Sequence, residues 1–404
     1  MSEAYINRPL TKADVAHHNR VWRRFFWSLR PFFEKEFAYT HEDVVLKAPL
    51  LVISNHVTRW DPLMVALSFP RNQLYFVASE HLFRLGFVSN LLHYIGAPIA
   101  KKKGSSVAAD TVMTCMRRFK VGGSVAIFAE GETTWDGKSI GIFPATGKLA
   151  KISGATLVTY RLEGGYFTLP RWGKYVRRGK MHGHPVNVYP PEALKKMTPQ
   201  QITDAINRDI YEDAFARQRE EQVSYTRRIF YRPANFIESA LFLCPKCNRI
   251  GHMHSKIDTL SCDCGFKVVY TPQGFFEPGE PFETVEEWDR WQMEQFRKGA
   301  YEHDPVSDEL FGDDDLTLSM EIGNYIQFPQ GRGHLTQLEH SLTIDGWFFL
   351  EKNIKNMAIV KYDTLLFTYD DQYYELKTKN PTCLRKYLAY WENYELLPVK
   401  QTMK

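Results

Sequence analysis

The sequence predicts an α/β domain whose mostly parallel sheet is covered by helices, followed by a small cysteine-bearing module and a C-terminal α+β module. The first half alternates short apolar runs with stretches of helical spacing. Four cysteines cluster between positions 244 and 264, and short alternating runs with turn signals fill the residues after 315. A chain of 404 residues is long enough for two or three domains.

The α/β domain is predicted over residues 40–235. Apolar runs at 49–54, 96–100, 123–129 and 155–162 are interpreted as strands, and Ala108, Val112, Cys115 and Phe119 fall on one helical face between two of them. Strands that alternate with helices form parallel sheets with both faces covered.

An aromatic helix precedes this domain. Trp22, Phe25, Phe26, Leu29 and Phe33 recur at helical spacing in 15–37, with Arg20, Arg23, Arg24 and Arg30 among them. Residues 1–39 are therefore predicted to form an amphipathic helical segment at an anionic membrane surface. A helix packed on its own domain is the alternative. Because no secretory signal and no apolar run of about 20 residues is seen, we expect a cytoplasmic protein, peripheral on the inner face of the membrane.

Charge differs between the two halves. Residues 1–240 carry 34 basic and 21 acidic side chains, a balance of +13, whereas 241–404 carry 17 and 26, a balance of −9. A basic half attracts anionic lipid, phosphorylated substrates or nucleic acid. Five cations lie in 171–180, which is interpreted as a solvated or lipid-headgroup surface.

Residues 240–275 resemble a zinc ribbon. A Cys-Pro-Lys-Cys turn is followed by Cys-Asp-Cys-Gly, and four thiolates suit one closed structural zinc site. The predicted ligands are Cys244, Cys247, Cys262 and Cys264, with His252 or His254 as a possible replacement for one of them. No catalytic cofactor is expected. Nucleic-acid binding by the ribbon is disfavoured because the ribbon lies in the acidic half.

The remaining residues are divided between a linker and a folded module. Residues 276–315 are predicted to be an acidic linker, because 301–315 contain seven acidic and no basic residues. Residues 316–404 alternate short runs with turns and end in a helix capped by Asn380 and Pro381, with Leu384, Tyr387, Leu388 and Trp391 on one face. Antiparallel strands closed by one helix resemble a pleckstrin-homology-like module.

His56 and Asp61 are the candidate catalytic pair. His56 follows the apolar run at 49–54, and Asp61 as N-cap with Pro62 in the first turn is predicted to start the next helix. Across a strand-to-helix turn the two side chains can meet, so that the carboxylate orients the imidazole as a base. The alternative is a turn histidine followed by an ordinary capping aspartate. The next strands end at Lys101–Lys103 and at Glu130, and parallel strands deliver such residues to one sheet edge.

These residues resemble the glycerolipid acyltransferases, typified by 1-acylglycerol-3-phosphate acyltransferase, over residues 40–190. Asn55, His56 and Asp61 match the family's Asn-His-x4-Asp block. In the second block Lys102 stands where the family has a phosphate-binding arginine. In the third block Phe128, Glu130 and Gly131 match, but Glu132 and Thr133 replace the threonine and arginine.

The resemblance implies an acyl transfer in phospholipid biosynthesis from acyl-CoA or acyl carrier protein to the free hydroxyl of 1-acylglycerol-3-phosphate (lysophosphatidic acid). It implies His56 as general base and Asp61 as its partner. Predicted substrate-binding residues are Asn55, Lys101, Lys102, Glu130, Gly131 and Arg161. Two alternatives remain: another lysolipid or lipid-like alcohol as acceptor, and an inactive membrane-bound scaffold.

Overall fold

The polypeptide divides into two units. The first contains residues 1–171 and 175–227, and the second contains 172–174 and 228–404. The computed structural model describes residues 9–79, 96–101, 108–302, 309–322, 326–378 and 382–394. The predicted N-cap and first-turn residue of the C-terminal helix, Asn380 and Pro381, lie outside these residues. The helix begins later than predicted, at Arg385, with Leu384 as its N-cap.

A seven-stranded sheet in the order β1-β7-β6-β2-β5-β3-β4 forms the centre of the first unit. The five neighbouring strands from β6 to β4 are parallel, whereas β7 is antiparallel to β6 and parallel to β1. The strands are β1 (Tyr39–His41), β2 (Leu50–Ser54), β3 (Leu74–Ser79), β4 (Ile99–Lys101), β5 (Ser124–Phe128), β6 (Thr156–Glu163) and β7 (Met181–Tyr189). The prediction of a mostly parallel sheet is confirmed, and the antiparallel strand β7 was not predicted.

Helices cover both faces of this sheet. In β2, Leu51 and Ile53 face one apolar cluster, and Leu50 and Val52 face another, because successive side chains alternate between faces. The helices of this unit are α1 (Lys12–Ser28), α2 (Arg30–Phe37), α3 (Asp61–Leu67), α4 (Ala108–Lys120), α5 (Ala145–Ile152), α6 (Gly165–Thr168), α7 (Pro191–Lys196), α8 (Pro199–Ile210) and α9 (Ala214–Glu221).

The aromatic segment forms two helices, which break at Leu29. Thr11 caps α1 and accepts a hydrogen bond from the Asp14 N–H, while the Asp14 carboxylate accepts from Thr11. In α2, Phe33 and Phe37 are buried against Trp60, which lies in the loop between β2 and α3, with ring centroids about 6 Å apart (6.1 and 6.2 Å). The described helices include none that is both long and apolar enough to span a bilayer.

The second unit contains two antiparallel sheets. The smaller has the order β11-β10-β9-β8, and the larger has seven strands in the order β15-β14-β13-β12-β18-β17-β16. These are β8 (Met253–Lys256), β9 (Thr259–Cys262), β10 (Lys267–Tyr270), β11 (Phe276–Glu277), β12 (Phe311–Ile322), β13 (Ile326–Gln337), β14 (Ser341–Ile344), β15 (Trp347–Leu350), β16 (Ile354–Val360), β17 (Thr364–Tyr369) and β18 (Gln372–Thr378), with helices α10 (Val285–Arg297) and α11 (Arg385–Asn393).

The structure differs from the predicted linker at 276–315, because this stretch contains β11, α10 and the start of β12. Gln292 of α10 accepts from the Phe242 N–H (2.9 Å) and donates to the Ala240 carbonyl (2.8 Å). Asp289 of α10 forms a paired salt bridge with Arg385 of α11. These buried contacts make the stretch an integral part of the second unit.

Candidate active site

The loop that follows β2 is fixed to the neighbouring strand by Asn55. Its side-chain amide donates to the Leu162 carbonyl (2.8 Å) and accepts from the Leu162 N–H (2.8 Å). Asn55 is buried, and both polar atoms of its side chain thus bind backbone of β6. Asn55 therefore holds the ends of the parallel strands β2 and β6 together directly before His56.

Asp61 and His56 are in direct contact. Asp61 Oδ2 lies 2.8 Å from His56 Nδ1, and the same carboxylate accepts from the Val57 N–H (2.7 Å), the Thr58 N–H (2.9 and 3.0 Å) and the Thr58 hydroxyl (2.6 Å). The sequence predicted Asp61 as an N-cap. Instead the helix begins at Asp61 with Trp60 as N-cap, and the fully buried carboxylate turns back into the loop.

This contact determines which ring nitrogen of His56 can act as a base. An ionised carboxylate only accepts hydrogen bonds, so Nδ1 carries the hydrogen and Nε2 keeps its lone pair. The imidazole also stacks on Phe128 at the end of β5, with ring centroids 4.4 Å apart and planes 22° from parallel. About a fifth of the side chain (21%) remains exposed, so part of the ring is accessible from solvent.

Glu130, which follows β5, binds the backbone of the same histidine. Its Oε2 accepts from the His56 N–H at 3.1 Å. Its other oxygen, Oε1, is buried and has no well-formed hydrogen bond to any residue that the structure describes. Burial raises the pKa of Glu130 to about 7, against the lowering effect of the hydrogen bond from His56. Glu130, beside the His56–Asp61 pair, therefore gains its proton at a higher pH than an exposed glutamate does.

The residues after Glu130 close around His56. The Thr134 N–H donates to the His56 carbonyl (3.3 Å), so both backbone groups of His56 bind this loop. Gly131 has φ of 84°, and a Cβ there would lie 2.9 Å from the Phe143 ring. Only glycine fits this left-handed position without displacing the ring.

The cationic residues that were predicted to bind substrate differ in where the structure places them. Arg161 donates twice to the Asp209 carbonyl (2.7 and 3.0 Å) and lies 3.7 Å from Glu163, so its guanidinium already binds protein groups. Lys101 ends β4 at the same sheet edge as His56, because β4, β3, β5 and β2 are parallel. Lys102 lies outside the described residues.

The interpretation of 171–180 as a solvated or lipid-headgroup surface is wrong for two of its five cations, because Arg171 and Arg177 are buried. Arg171 Nη1 donates to Glu132 Oε2 (2.6 Å) and to the Thr133 carbonyl (2.8 Å). Its guanidinium also lies 4.1 Å from the centre of the Trp135 ring. Sequence reasoning missed this contact because nothing in a run of cations indicates which one has a buried partner.

The four clustered cysteines come together in the second unit. All four Sγ atoms lie within 4.8 Å of one another, with 3.7 Å from Cys244 to Cys264 and from Cys247 to Cys262. This arrangement is compatible with one metal ion held by four thiolates. The two candidate replacement ligands hydrogen-bond elsewhere: His252 and His254 both bind the Asp263 carboxylate, at 2.9 and 3.0 Å.

Comparison with known proteins finds one family model that matches part of the first unit. Residues 36–162 match the family model described as Acyltransferase. This segment, 127 of the chain's 404 residues, includes His56, Asp61 and Glu130. No curated protein matches the chain. Among solved structures, the crystal structure of the 1-acyl-sn-glycerophosphate (LPA) acyltransferase PlsC from Thermotoga maritima is 16% identical, with a TM-score of 0.39, over 48% of this chain and 76% of that one.

Proposed function

We propose that the chain is an acyltransferase that moves a fatty acyl group from a thioester donor to the free hydroxyl of a lysophospholipid, with 1-acylglycerol-3-phosphate as the first acceptor to test. The observation that carries this proposal is the His56–Asp61 pair at the carboxyl edge of the parallel strands, within the segment that matches the acyltransferase family model. Open α/β sheets place their sites at this edge.

The geometry supports direct transfer with His56 as general base. Nε2 of His56 takes the proton of the acceptor hydroxyl while that oxygen attacks the thioester carbonyl, and the buried Asp61 carboxylate stabilises the imidazolium. When the tetrahedral intermediate collapses, the proton passes to the departing thiolate of coenzyme A or acyl carrier protein. A positioned base of this kind typically contributes about 10²–10⁴-fold in rate.

The predicted substrate-binding residues separate into two roles. We propose that Glu130 and Gly131 line the acceptor site, because Glu130 has a buried oxygen without a well-formed hydrogen bond among the described residues and lies beside His56. For Asn55 and Arg161 the hydrogen bonds to Leu162 and Asp209 favour a role in holding strand ends instead. We assign both to positioning the site.

Lys101 and Lys102 remain our proposal for an acceptor phosphate, because they follow a strand that ends at the catalytic edge. One observation favours a second acceptor class. In the third block, Glu132, which is paired with Arg171, stands where the resembled family has threonine, next to the position of that family's arginine. A carboxylate here is unfavourable for a phosphorylated acceptor and is compatible with an uncharged lipid-like alcohol.

We propose that the α1–α2 segment contacts anionic membrane. Phe25, Trp27 and Phe32 are 43%, 54% and 46% exposed, whereas Phe33 and Phe37 are buried. The buried rings pack on Trp60 in the catalytic loop, so a bilayer that meets the exposed rings lies beside the site. An acceptor that resides in the bilayer then needs to move only a short distance.

For the second unit we propose that the thiolate-bound ion is zinc and that it is structural, because four sulfur ligands form a closed site. We also propose that the larger antiparallel sheet with α11 is a pleckstrin-homology-like module. The order of its strands, in which β12 pairs with both β13 and β18, supports this architecture.

The proposed activity is tested with purified protein, acyl-CoA and acyl carrier protein donors, and a panel of lysophospholipids and unphosphorylated lipid alcohols. Wild-type protein should form acylated product and free thiol, and His56→Ala should not. His340→Ala, which changes an exposed histidine of the second unit, is the matched control and should keep full activity. Equal rates for wild type and His56→Ala would refute the catalytic assignment, and no product from any donor–acceptor pair would favour the scaffold.

A further inference from the structure

The residues from Glu130 to Trp135, here called the third-block loop, are the only described segment that hydrogen-bonds both the N–H and the carbonyl of His56. Glu130 accepts from the His56 N–H at 3.1 Å, and the Thr134 N–H donates to the His56 carbonyl at 3.3 Å. The position of the histidine backbone, and with it the ring, therefore depends on the conformation of this loop.

Arg171 fixes the opposite side of the third-block loop. Three groups of the loop contact its guanidinium: the Glu132 carboxylate at 2.6 Å, the Thr133 carbonyl at 2.8 Å and the Trp135 ring at 4.1 Å. The side chain of Arg171 is only 3% exposed, whereas that of Glu132 is 38% exposed. Arg171 is thus the buried, fixed partner, and the loop residue is the one that would move if the contact were lost.

The chemistry of this contact requires an arginine. Within seven positions the loop region carries three carboxylates, Glu130, Glu132 and Asp136, beside a histidine that must become positively charged only transiently. A guanidinium can bind a carboxylate and a carbonyl in its plane while its face stacks on an aromatic ring, and an ammonium cannot do all three. Charge-assisted hydrogen bonds of this kind are short and directional.

We propose that Arg171 is a positioning residue for the transfer reaction, which clamps the third-block loop and thereby holds His56 in its reactive position. This inference rests on the proposed acyl transfer. It explains how the loop keeps its shape although the arginine of the resembled family is replaced by Thr133: a guanidinium reaches the same loop from the segment after α6. Because it is buried, Arg171 acts on the loop and not on the substrate.

The test compares Arg171→Met, which keeps the length and removes the charge, with Arg178→Met, which removes an exposed cation from the same segment. Arg171→Met should lower kcat by about tenfold to a hundredfold, since small displacements of catalytic groups have effects of this size. KM for the donor should change less than about threefold. Arg178→Met should match wild type in kcat.

Hydrogen exchange measured by mass spectrometry gives a second readout that does not depend on activity. In Arg171→Met, a peptide covering 129–136 should exchange faster, while peptides from β2 and β6 stay protected as in wild type. Glu132→Ala removes the Arg171–Glu132 hydrogen bond from its more exposed side and should give the same exchange pattern. This variant replaces Arg171→Met if Arg171→Met fails to fold. Combining both substitutions should be no worse than Arg171→Met alone, because that variant already breaks the contact with Glu132.

The outcomes separate this inference from the proposed function. If wild type transfers acyl groups and both variants keep its kcat and its loop exchange, the clamp is refuted. If wild type is inactive with every donor and acceptor, the proposed function fails, and the exchange data still decide on the clamp. Faster exchange spread over the whole first unit would show that Arg171 stabilises the fold generally, which would also overturn the inference.

Discussion

Replacing Asp61 by asparagine tests how much of the catalysis depends on a negative charge behind His56. The Asp61 carboxylate accepts hydrogen bonds from four groups, and an amide can accept at only one of its two positions. The environment decides which position that is. At Oδ2 the Val57 N–H and the Thr58 N–H are backbone donors that cannot accept from an amide N–H, whereas His56 Nδ1 could do so only by a change of tautomer.

At Oδ1 the closest group is the Thr58 hydroxyl, at 2.6 Å, which can rotate and accept from the new amide. We therefore expect the asparagine oxygen to stay opposite His56, so that the reactive tautomer is kept and only the charge is lost. A charge-assisted hydrogen bond contributes about 1.5–3 kcal/mol and a neutral one about 0.5–1.5 kcal/mol. The difference, about 1–2 kcal/mol, corresponds to a loss of about fivefold to thirtyfold in kcat.

Asp61→Ala should be more severe, because it removes the acceptor as well as the charge and leaves buried donors of the loop unpaired. Each such donor costs about 1–3 kcal/mol, so the unfolding free energy should also fall. Steady-state rates of thiol release and chemical denaturation measure the two effects. Asp110→Asn, an exposed change at the start of α4, is the control. A kcat within twofold of wild type for Asp61→Asn, or an alanine variant as active as the asparagine variant, would refute the reasoning.

Three further predictions concern stability, metal and membrane. The pKa of Glu130 is raised to about 7 in the folded protein, so the native state binds this proton more tightly than the unfolded state does. The contribution of Glu130 to the free energy of unfolding should therefore decline as pH rises from about 4.5 to 7, by up to about 3 kcal/mol relative to Glu130→Gln. Denaturation of both proteins at pH 5 and pH 8 checks this, and a pH-independent difference contradicts it. Cys244→Ser should lose the bound ion in metal analysis and lower the thermal stability of the second unit, and a wild type that contains no metal would argue against the site. Serine at Phe25, Trp27 and Phe32 should release the protein from anionic vesicles in flotation assays while transfer to a detergent-dispersed acceptor is kept, and undiminished flotation would place the contact elsewhere.

The sequence predicted the elements that have a simple apolar pattern. The strands expected at 49–54 and 123–129 appear as β2 and β5 with boundaries shifted by one residue at most. By contrast β7 was not predicted, because its sequence, MHGHPVNVY, contains histidines and a proline and no continuous apolar run. Its place at the sheet is set by pairing with β6 and β1, which are distant in the chain. Such pairing leaves no local signal.

Helix α10 was not predicted for a different reason, namely that the charge of its surroundings indicated a linker. The acidic residues around it suggested a solvated linker, but Trp288 and Gln292 are buried and bind the backbone at Leu243 and Phe242. A buried glutamine satisfies two backbone donors of an irregular segment that has no strand partner for them. These backbone donors need a side-chain acceptor only after folding has brought together residues about fifty positions apart. The acidic composition of the stretch therefore indicated a solvated environment, which was wrong.

The candidate site also depends on contacts between residues that are far apart in the sequence. His56 and Asp61 lie five positions apart, so local spacing was sufficient to bring them together in a hypothesis. The groups that hold them, Leu162 for Asn55 and Arg171 for the third-block loop, lie 107 and 39 positions away from their partners. A sequence motif records the residues that perform a reaction, whereas the residues that fix the motif in place are selected by the fold. The altered third block therefore does not by itself indicate a lost activity, because the guanidinium that the motif lacks is supplied to the same loop from another part of the chain. If Arg171→Met lowers kcat while the catalytic pair is intact, it will show that such a distant residue sustains the activity that the altered motif alone would call into doubt.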